Sequence, residues 1–197
     1  MQSARLELAR LTKDHLPGYF SVRSNWEVEK WHRSRPMTSI QEAEEHLLEQ
    51  LSGDNRETFA ILLRDDLDPK TIDEWQGPEA KDESNVLVPG GFVGYIGVYD
   101  LDHVAQVFYV IHRSAWGFGI GTEALLAFTE LFWMLHPDHY RLLGRCDPEN
   151  VASGRVLENC GFEYYDFICA DEFQPWMVPQ LRDSLRFVLA KPGYTFD

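Results

Sequence analysis

Three glycines separate a predicted strand from a predicted helix in the middle of the chain. They lie in the heptapeptide Trp116–Thr122 (WGFGIGT), after the aromatic and β-branched run Ala105–Ile111 and before an apolar-faced segment that ends at Pro137. Glycines at such a turn leave backbone N–H groups unobstructed at the positive end of the following helix. A turn of this kind binds anions such as pyrophosphate, although a tight packing turn between strand and helix carries the same glycine pattern.

Two other phosphate-binding motifs with glycine-rich turns are excluded by their spacing. A P-loop needs Lys followed by Ser or Thr where the helix begins, and this chain has Gly121 and Thr122 there. A dinucleotide-binding Rossmann motif needs GxGxxG after a first strand and an acidic residue on the next strand, and neither is present. The turn by itself therefore does not identify its ligand.

The apolar patterns elsewhere predict an α/β protein with a single domain over residues 1–197. A chain of this length buries about 70% of its unfolded surface, so it forms a core without disulfides or metals. The predicted strands are 5–11, 58–63, 92–99, 105–111, 140–146, 162–169 and 185–190. The predicted helices run from a cap at 12–14 to about 29, and over about 40–51, 120–135 and 150–159.

The charge of the chain excludes two classes of partner. Eighteen basic residues against 32 acidic residues give a net charge of −14. Such a field repels phosphate backbones and anionic membrane surfaces, and it attracts cationic or amine-bearing partners. We therefore expect neither a nucleic-acid partner nor a membrane partner.

The segment Asp65–Asn85 differs in composition from the rest of the chain. It holds eight acidic residues against two lysines, together with two prolines and one glycine. We interpret it as a long, solvated, acidic loop inserted between two strands at about 65–89. A docking surface for a basic partner is the alternative interpretation.

Cysteine use and the N-terminal residues predict a cytoplasmic protein. The three cysteines form an odd, sparse set without CxxC spacing, which is typical of a reducing compartment. The N-terminus carries charges throughout, without the apolar core of a signal peptide, and no apolar run reaches the ~18–20 residues that span a bilayer. His136 and His139 are separated by the helix breaker Pro137, so we expect no metal site.

A second motif begins where the predicted strand 140–146 ends. It is the segment 147–162 (DPENVASGRVLENCGF). Together the two motifs resemble the GNAT family of acyl-CoA-dependent N-acetyltransferases, whose acyl-CoA loop is commonly Arg/Gln-x-x-Gly-x-Gly/Ala. Gly119 and Gly121 match that loop, and Trp116 occupies its first position. The second segment is similar to the Asn-x-x-Ser…Val-Leu-Glu…Gly-Phe pattern of the branch that acetylates N-termini of ribosomal proteins (RimJ/RimL-like).

The resemblance implies a fold and a set of ligand-binding residues. The GNAT fold has three layers: a central mixed, mostly antiparallel sheet of about six or seven strands with a splayed parallel pair, flanked by about four helices. The pantetheine arm of acetyl-CoA would pair with backbone in the gap between strands 105–111 and 140–146, where one N–H polarises the thioester carbonyl. The implied cofactor-binding residues are Val110, Ile111, His112, Trp116, Gly117, Phe118, Gly119, Ile120, Gly121, Thr122, Asn150 and Ser153.

The implied reaction is direct attack of a primary amine on acetyl-CoA, without an acyl-enzyme. Many members of the family have a general-acid Tyr where this chain has Leu157, so Ser153, with Asn150 nearby, is the implied catalytic donor to the leaving thiolate. A serine that merely caps the helix is the alternative. The Glu that is frequent on the preceding strand is Gln106 here. The remaining candidates to take the amine proton are water and the acidic residues Asp100, Asp102, Asp171 and Glu172.

Several assignments stay open on the sequence. The acceptor is a protein N-terminus, a polyamine, an aminoglycoside-like amine or another small amine, and the protein is a monomer or a homodimer. A catalytically weak or inactive acyl-CoA-binding regulatory protein is the alternative function, because the usual Tyr, the usual Glu and a basic loop residue are missing. Cys160 is expected to be a buried, inert thiol, and Trp31 and Trp176 are expected to border the acceptor site.

Overall fold

A seven-stranded mixed sheet forms the centre of the protein. The computed structural model describes residues 1–76 and 87–195. The strands are β1 Leu6–Arg10, β2 Arg56–Leu63, β3 Phe92–Tyr99, β4 Gln106–Ile111, β5 Arg141–Cys146, β6 Glu163–Phe173 and β7 Leu181–Ala190. Their order is β1-β2-β3-β4-β5-β7-β6, and every neighbouring pair is antiparallel except β4 and β5. The predicted mixed, mostly antiparallel sheet is confirmed.

Helices cover both faces of this sheet. Successive side chains of a strand point to opposite faces, and Ala60 of β2 accordingly belongs to a different apolar cluster from Phe59 and Ile61. One cluster includes Phe128 and packs under α5 and α6, and the other includes Tyr19 and packs under α1 and α3. The α-helices are α1 Leu16–Arg23, α2 Trp26–Glu29, α3 Ile40–Ser52, α4 Pro69–Gln76, α5 Ile120–Leu135 and α6 Val151–Asn159. The three-layer architecture predicted from the sequence is confirmed.

The parallel strands β4 and β5 diverge soon after they meet. Gln106 pairs with Leu143, and in the described ranges this is the one residue pair that joins the two strands. Next to it, the Leu143 N–H donates to the Ala105 carbonyl at 2.9 Å. Beyond this point β4 continues to Ile111 beside a gap instead of a parallel neighbour. This confirms the predicted splayed pair.

Two helices differ from the sequence predictions. The helix predicted up to about residue 29 is interrupted, because Asn25 caps a new helix, α2, by accepting a hydrogen bond from the Glu27 N–H at 2.9 Å. The acidic segment predicted to be a solvated loop contains α4, whose Ile72 is buried and whose Trp75 packs against the larger apolar cluster. The loop prediction is therefore wrong for α4, and residues 77–86 of that segment lie outside the described ranges.

Candidate active site

A cleft of about 860 Å³ opens where β4 and β5 diverge. One end is lined by the turn at 116–122 and by α6, and the other by the loop after α2 and by residues of β6, β7 and their connection. The residues predicted to bind the cofactor or to act in catalysis all line this cleft, apart from His112 and Phe118. The fold thus brings the two sequence motifs together on one cavity.

The glycine turn presents backbone donors to the cleft. Gly117 and Gly119 have left-handed φ angles of 85° and 75°, which side chains rarely allow. Gly119 is the N-cap of the 16-residue helix α5, and no side chain caps that helix. The N–H groups of the first turn, at Ile120–Thr122, therefore lack intrahelical partners and carry the positive end of the helix dipole. This arrangement fits an anionic ligand such as a pyrophosphate.

Residues distant in sequence hold the outer side of the turn. Arg5 donates from Nη1 to the Phe118 carbonyl at 2.9 Å and forms an ion pair with Glu123 at 2.6 Å. The Trp75 ring of α4 stacks on Phe118 with centroids 5.5 Å apart, and the Arg5 guanidinium lies 5.2 Å from the same indole. Phe118 therefore anchors the outside of the turn and does not line the cleft.

Backbone pairing determines which residues of β4 face the gap. Hydrogen-bonded and non-bonded positions alternate along an antiparallel pair. The His112 N–H donates to the Val93 carbonyl at 2.8 Å, and in the same alternation Val110 bonds to β3. The main-chain groups of Tyr109 and Ile111 point the opposite way, towards the gap. β3 therefore pairs with Val110 and with the His112 N–H, while the His112 carbonyl accepts from the Ala115 N–H at 2.9 Å. The backbone contacts expected between these two residues and the pantetheine arm stay a prediction.

Ser153 meets a phenol that comes from β4. Asn150 Oδ1 accepts from the Ser153 N–H at 3.2 Å, so Asn150 is the N-cap of α6. Tyr109 Oη lies 2.8 Å from Ser153 Oγ and 2.9 Å from the Ser153 carbonyl oxygen. Burial raises the pKa of Tyr109, which keeps the phenol protonated at neutral pH. Tyr109 belongs to no sequence motif, and its position on β4, the strand beside the gap, is the one sequence signal for a role in the site.

Core packing fills the position of the expected helical Tyr. Leu157 is 1% exposed, and a Cβ on Gly144 of β5 would lie 2.5 Å from Leu157 Cδ2. Gly144 therefore allows α6 to lie close to β5. Cys160 donates from Sγ to the Thr122 carbonyl at 3.4 Å, which links α6 to α5. Burial raises the pKa of Cys160 to about 12. The predicted burial of this thiol is confirmed, and its inertness stays a prediction.

The end of the cleft formed by the loop after α2 and by residues of β6 and β7 contains paired charges. Glu172 forms ion pairs with Arg145 at 2.6 Å and with Arg33, whose Nε lies 2.7 Å away. Arg182 likewise pairs with Asp147 at 2.7 Å. Although the chain has a net negative charge, Glu172 and Asp147 at this end of the cleft are therefore neutralised by arginines. Glu172 lines the cleft, unlike the other acidic candidates for taking the amine proton, Asp100, Asp102 and Asp171.

A buried ionic network holds the loop after α2 that forms part of this end. Arg23 Nη1 lies 2.9 Å from Glu29 Oε1, and both side chains are almost completely buried. Ser34 Oγ accepts from Arg23 at 2.6 Å and donates to Glu29 at 3.1 Å, which ties the loop to the helices. Burial, together with the nearby Arg23 charge, lowers the pKa of His32 to about 3, so its imidazole is neutral at pH 7.

The two tryptophans expected to border the acceptor site have different places. Trp31 lines the cleft, whereas Trp176 does not. The Trp176 indole instead donates to the His32 carbonyl at 3.2 Å, and its ring meets Trp26 edge-on at 6.1 Å. Trp176 therefore supports the loop after α2 from outside the cleft.

Within 1–76 and 87–195, no three His, Cys, Asp or Glu side chains are grouped as metal ligands. His136 instead lies 3.0 Å from Glu57 Oε2. None of the helices in these ranges combines the length and apolarity required to cross a bilayer.

Three solved structures have a similar fold over almost the whole chain. An acetyltransferase (GNAT family) from Bacillus anthracis has a TM-score of 0.72 and 16% identity, covering 96% of this chain and 97% of that one. Spermidine N-acetyltransferase from Vibrio cholerae, in complex with CoA and spermine, has a TM-score of 0.71 and 13% identity, with coverages of 95% and 96%. An acetyltransferase from Salmonella typhimurium that modifies the N-terminal serine of ribosomal protein L7/L12 has a TM-score of 0.71 and 15% identity, with coverages of 96% and 96%.

Sequence comparison supplies the family. Because these three structures share only 13–16% sequence identity with the chain, their likeness shows the fold alone. No curated protein sequence is significantly similar to the chain. The model of the acetyltransferase (GNAT) domain, however, matches residues 5–163, which is most of the chain. The family match, the splayed sheet and the glycine turn agree, and the protein belongs to the GNAT family of acetyltransferases.

Proposed function

We propose that this protein transfers the acetyl group of acetyl-CoA to the α-amine of a polypeptide N-terminus, as in the ribosomal-protein branch of the family. The observation that carries the transfer chemistry is a single cleft with backbone donors at one end and the hydroxyl pair of Tyr109 and Ser153 in its wall. Bound acetyl-CoA supplies the thioester carbonyl as electrophile and the CoA thiolate as leaving group.

Backbone and side-chain donors of the cleft bind the CoA moiety in this proposal. The first-turn N–H groups of α5 bind the pyrophosphate, and Arg155, which lines the same cleft, adds the positive charge that the turn lacks. The Ile111 carbonyl accepts from the Trp116 indole at 2.8 Å, which fixes the end of β4. The Ile111 N–H faces the gap and is the donor that polarises the thioester carbonyl.

Ser153 assists the departure of the thiolate. Its hydroxyl donates a hydrogen bond to the leaving sulfur, and this bond strengthens as negative charge develops there. Asn150 sets the start of α6 and hence the place of Ser153, which makes it a positioning residue. The attacking amine loses its proton to water or through water to Glu172.

The acceptor assignment follows from the state of the acidic side chains. Because Glu172 is engaged by Arg33 and Arg145, the site favours an acceptor that is already neutral. The α-amino group has a pKa of about 7.7–8.0, against about 10.4 for an alkyl amine such as that of Lys. At pH 7 about one α-amine in ten is neutral, against about one alkyl amine in 2,500. This difference of roughly 250-fold favours a polypeptide N-terminus over a polyamine.

The test compares matched acceptors at pH 7. A peptide with a free N-terminus, the same peptide with a blocked N-terminus and an internal Lys, and spermidine are each incubated with acetyl-CoA while thiol release is measured. We expect thiol release with the free N-terminus and at least a hundredfold lower kcat/KM with the other two acceptors. A preference for spermidine would refute the acceptor assignment.

A parallel measurement separates the enzyme from the acyl-CoA-binding alternative. Acetyl-CoA is expected to raise the melting temperature of the protein by mass action. Such stabilisation without thiol release from any amine would identify a catalytically inactive regulatory protein. If acetyl-CoA gave no stabilisation and no amine released thiol, both functions would be contradicted.

A further inference from the structure

Tyr109 joins β4 to α6 through a single residue. Its phenol oxygen lies 2.8 Å from Ser153 Oγ and 2.9 Å from the Ser153 carbonyl oxygen. Both side chains line the cleft, and the ring of Tyr109 packs against the larger apolar cluster. The hydroxyl that we assign to the leaving thiolate therefore has a second hydroxyl directly behind it.

One phenol proton has two acceptors in this arrangement. The Ser153 carbonyl only accepts, whereas Ser153 Oγ both donates and accepts. When Tyr109 donates to the carbonyl, its oxygen is free to take the serine proton, which then points away from a ligand in the cleft. When Tyr109 donates to Ser153 Oγ, the serine proton is free for another acceptor. The two arrangements require only rotation of hydroxyl protons.

We propose that Tyr109 is a positioning residue for acetyl transfer, which directs the Ser153 proton to the leaving sulfur and replaces it from behind. The inference rests on the proposed function. As the C–N bond forms and the C–S bond breaks, the C–S electron pair goes to sulfur, Ser153 gives its proton to sulfur, and Tyr109 gives its proton to Ser153 Oγ. The Tyr109 oxygen then regains a proton from water, and the attacking amine releases one to water, so protons balance.

The surroundings of the phenol suit this role. Burial raises the pKa of Tyr109, so the resting site holds a protonated phenol. The family's usual phenol position on α6 is taken by Leu157, which is packed in the core at 1% exposure. A phenol is thus present beside the hydroxyl of α6, although it comes from the strand.

The principal test is Tyr109→Phe, which keeps the packed ring and removes the hydroxyl. We expect kcat to fall about fivefold to tenfold, the size of one lost hydrogen bond, while the KM for acetyl-CoA changes less than twofold. Tyr140→Phe is the matched control, because Tyr140 is 55% exposed and does not line the cleft. In a Ser153→Ala background, Tyr109→Phe is expected to cause no further loss, because the proton donor that it positions is gone.

A second measurement does not depend on the variant's folding. With chemistry rate-limiting, the kcat of the wild type in mixtures of H2O and D2O is expected to follow a curved proton inventory, since two protons move together. Three results would each overturn this inference and leave the proposed function standing: full kcat in Tyr109→Phe, losses that multiply in the double variant, or a linear proton inventory. Absence of thiol release from the wild type with every amine would overturn the proposed function, and this inference with it.

Discussion

The most direct test of the cofactor site is Gly119→Asp. Gly119 has a φ of 75° and is the N-cap of α5. A Cβ at this position would meet one atom within 4 Å, Arg5 Nη2 at 3.6 Å, so the substitution causes no steric clash in the ligand-free protein. It adds left-handed strain and places a carboxylate beside the first turn of α5, next to the predicted pyrophosphate position.

The two effects have different sizes. A non-glycine residue in the left-handed region costs about 1–2 kcal/mol, and each kcal/mol shifts the melting temperature of a chain of this length by about 2–4 °C. Two unit charges about 4 Å apart repel by about 4 kcal/mol at an effective dielectric constant near 20. Pairing of the new carboxylate with Arg5 offsets part of this repulsion. We therefore expect acetyl-CoA binding to weaken at least tenfold, which corresponds to about 1.4 kcal/mol.

Calorimetry with acetyl-CoA and thermal unfolding without ligand measure the two effects separately. Gly193→Asp is the matched control, because Gly193 has a φ of 88°, no neighbouring atom within 4 Å of its Cβ and no place in the cleft. Gly119→Ala separates strain from charge. Unchanged affinity in Gly119→Asp, with the ligand-free melting temperature lowered as in the control, would refute the assignment of this turn to the pyrophosphate.

Three further predictions concern the loop support, the core and the acid response. Trp75→Ala removes the stacking partner of Phe118 and is expected to raise the KM for acetyl-CoA severalfold with kcat retained, as measured by steady-state kinetics. Leu157→Ala is expected to cost about 2–5 kcal/mol of unfolding free energy in urea titrations, against well under 1 kcal/mol for the exposed Leu126→Ala. The pKa of His32 is lowered to about 3 in the folded state, so on acidification the unfolded chain takes up this proton at a higher pH than the folded protein does. The stability present above pH 6.5 is therefore lost as pH falls towards 3. Over this pH range, the urea midpoint of His32→Asn is expected to fall less than that of the wild type.

Features that depend on neighbouring residues in the chain were predictable from the sequence. The left-handed glycines at 117 and 119, and Asn150 at the start of α6, follow from local backbone chemistry. Ser39 likewise accepts from the Glu42 N–H at 3.2 Å and caps α3, a contact between residues only three positions apart. Because apolar periodicity sets which side of an element is buried, the strands, the main helices and the layered architecture were predictable as well.

Features that depend on how distant elements meet required the tertiary structure. The pairing register of β3 with β4 decides that the main-chain groups of Ile111, and not those of His112, face the gap. The contact of Tyr109 with Ser153 joins a strand to a helix 44 residues away, and the arginine partners of Glu172 come from separate elements. The amino-acid sequence by itself determined a GNAT fold with a glycine turn between β4 and α5, because those signals are local. Only the tertiary structure decided which hydroxyls, backbone donors and charges meet in the cleft, because register and packing bring together residues that no local pattern relates.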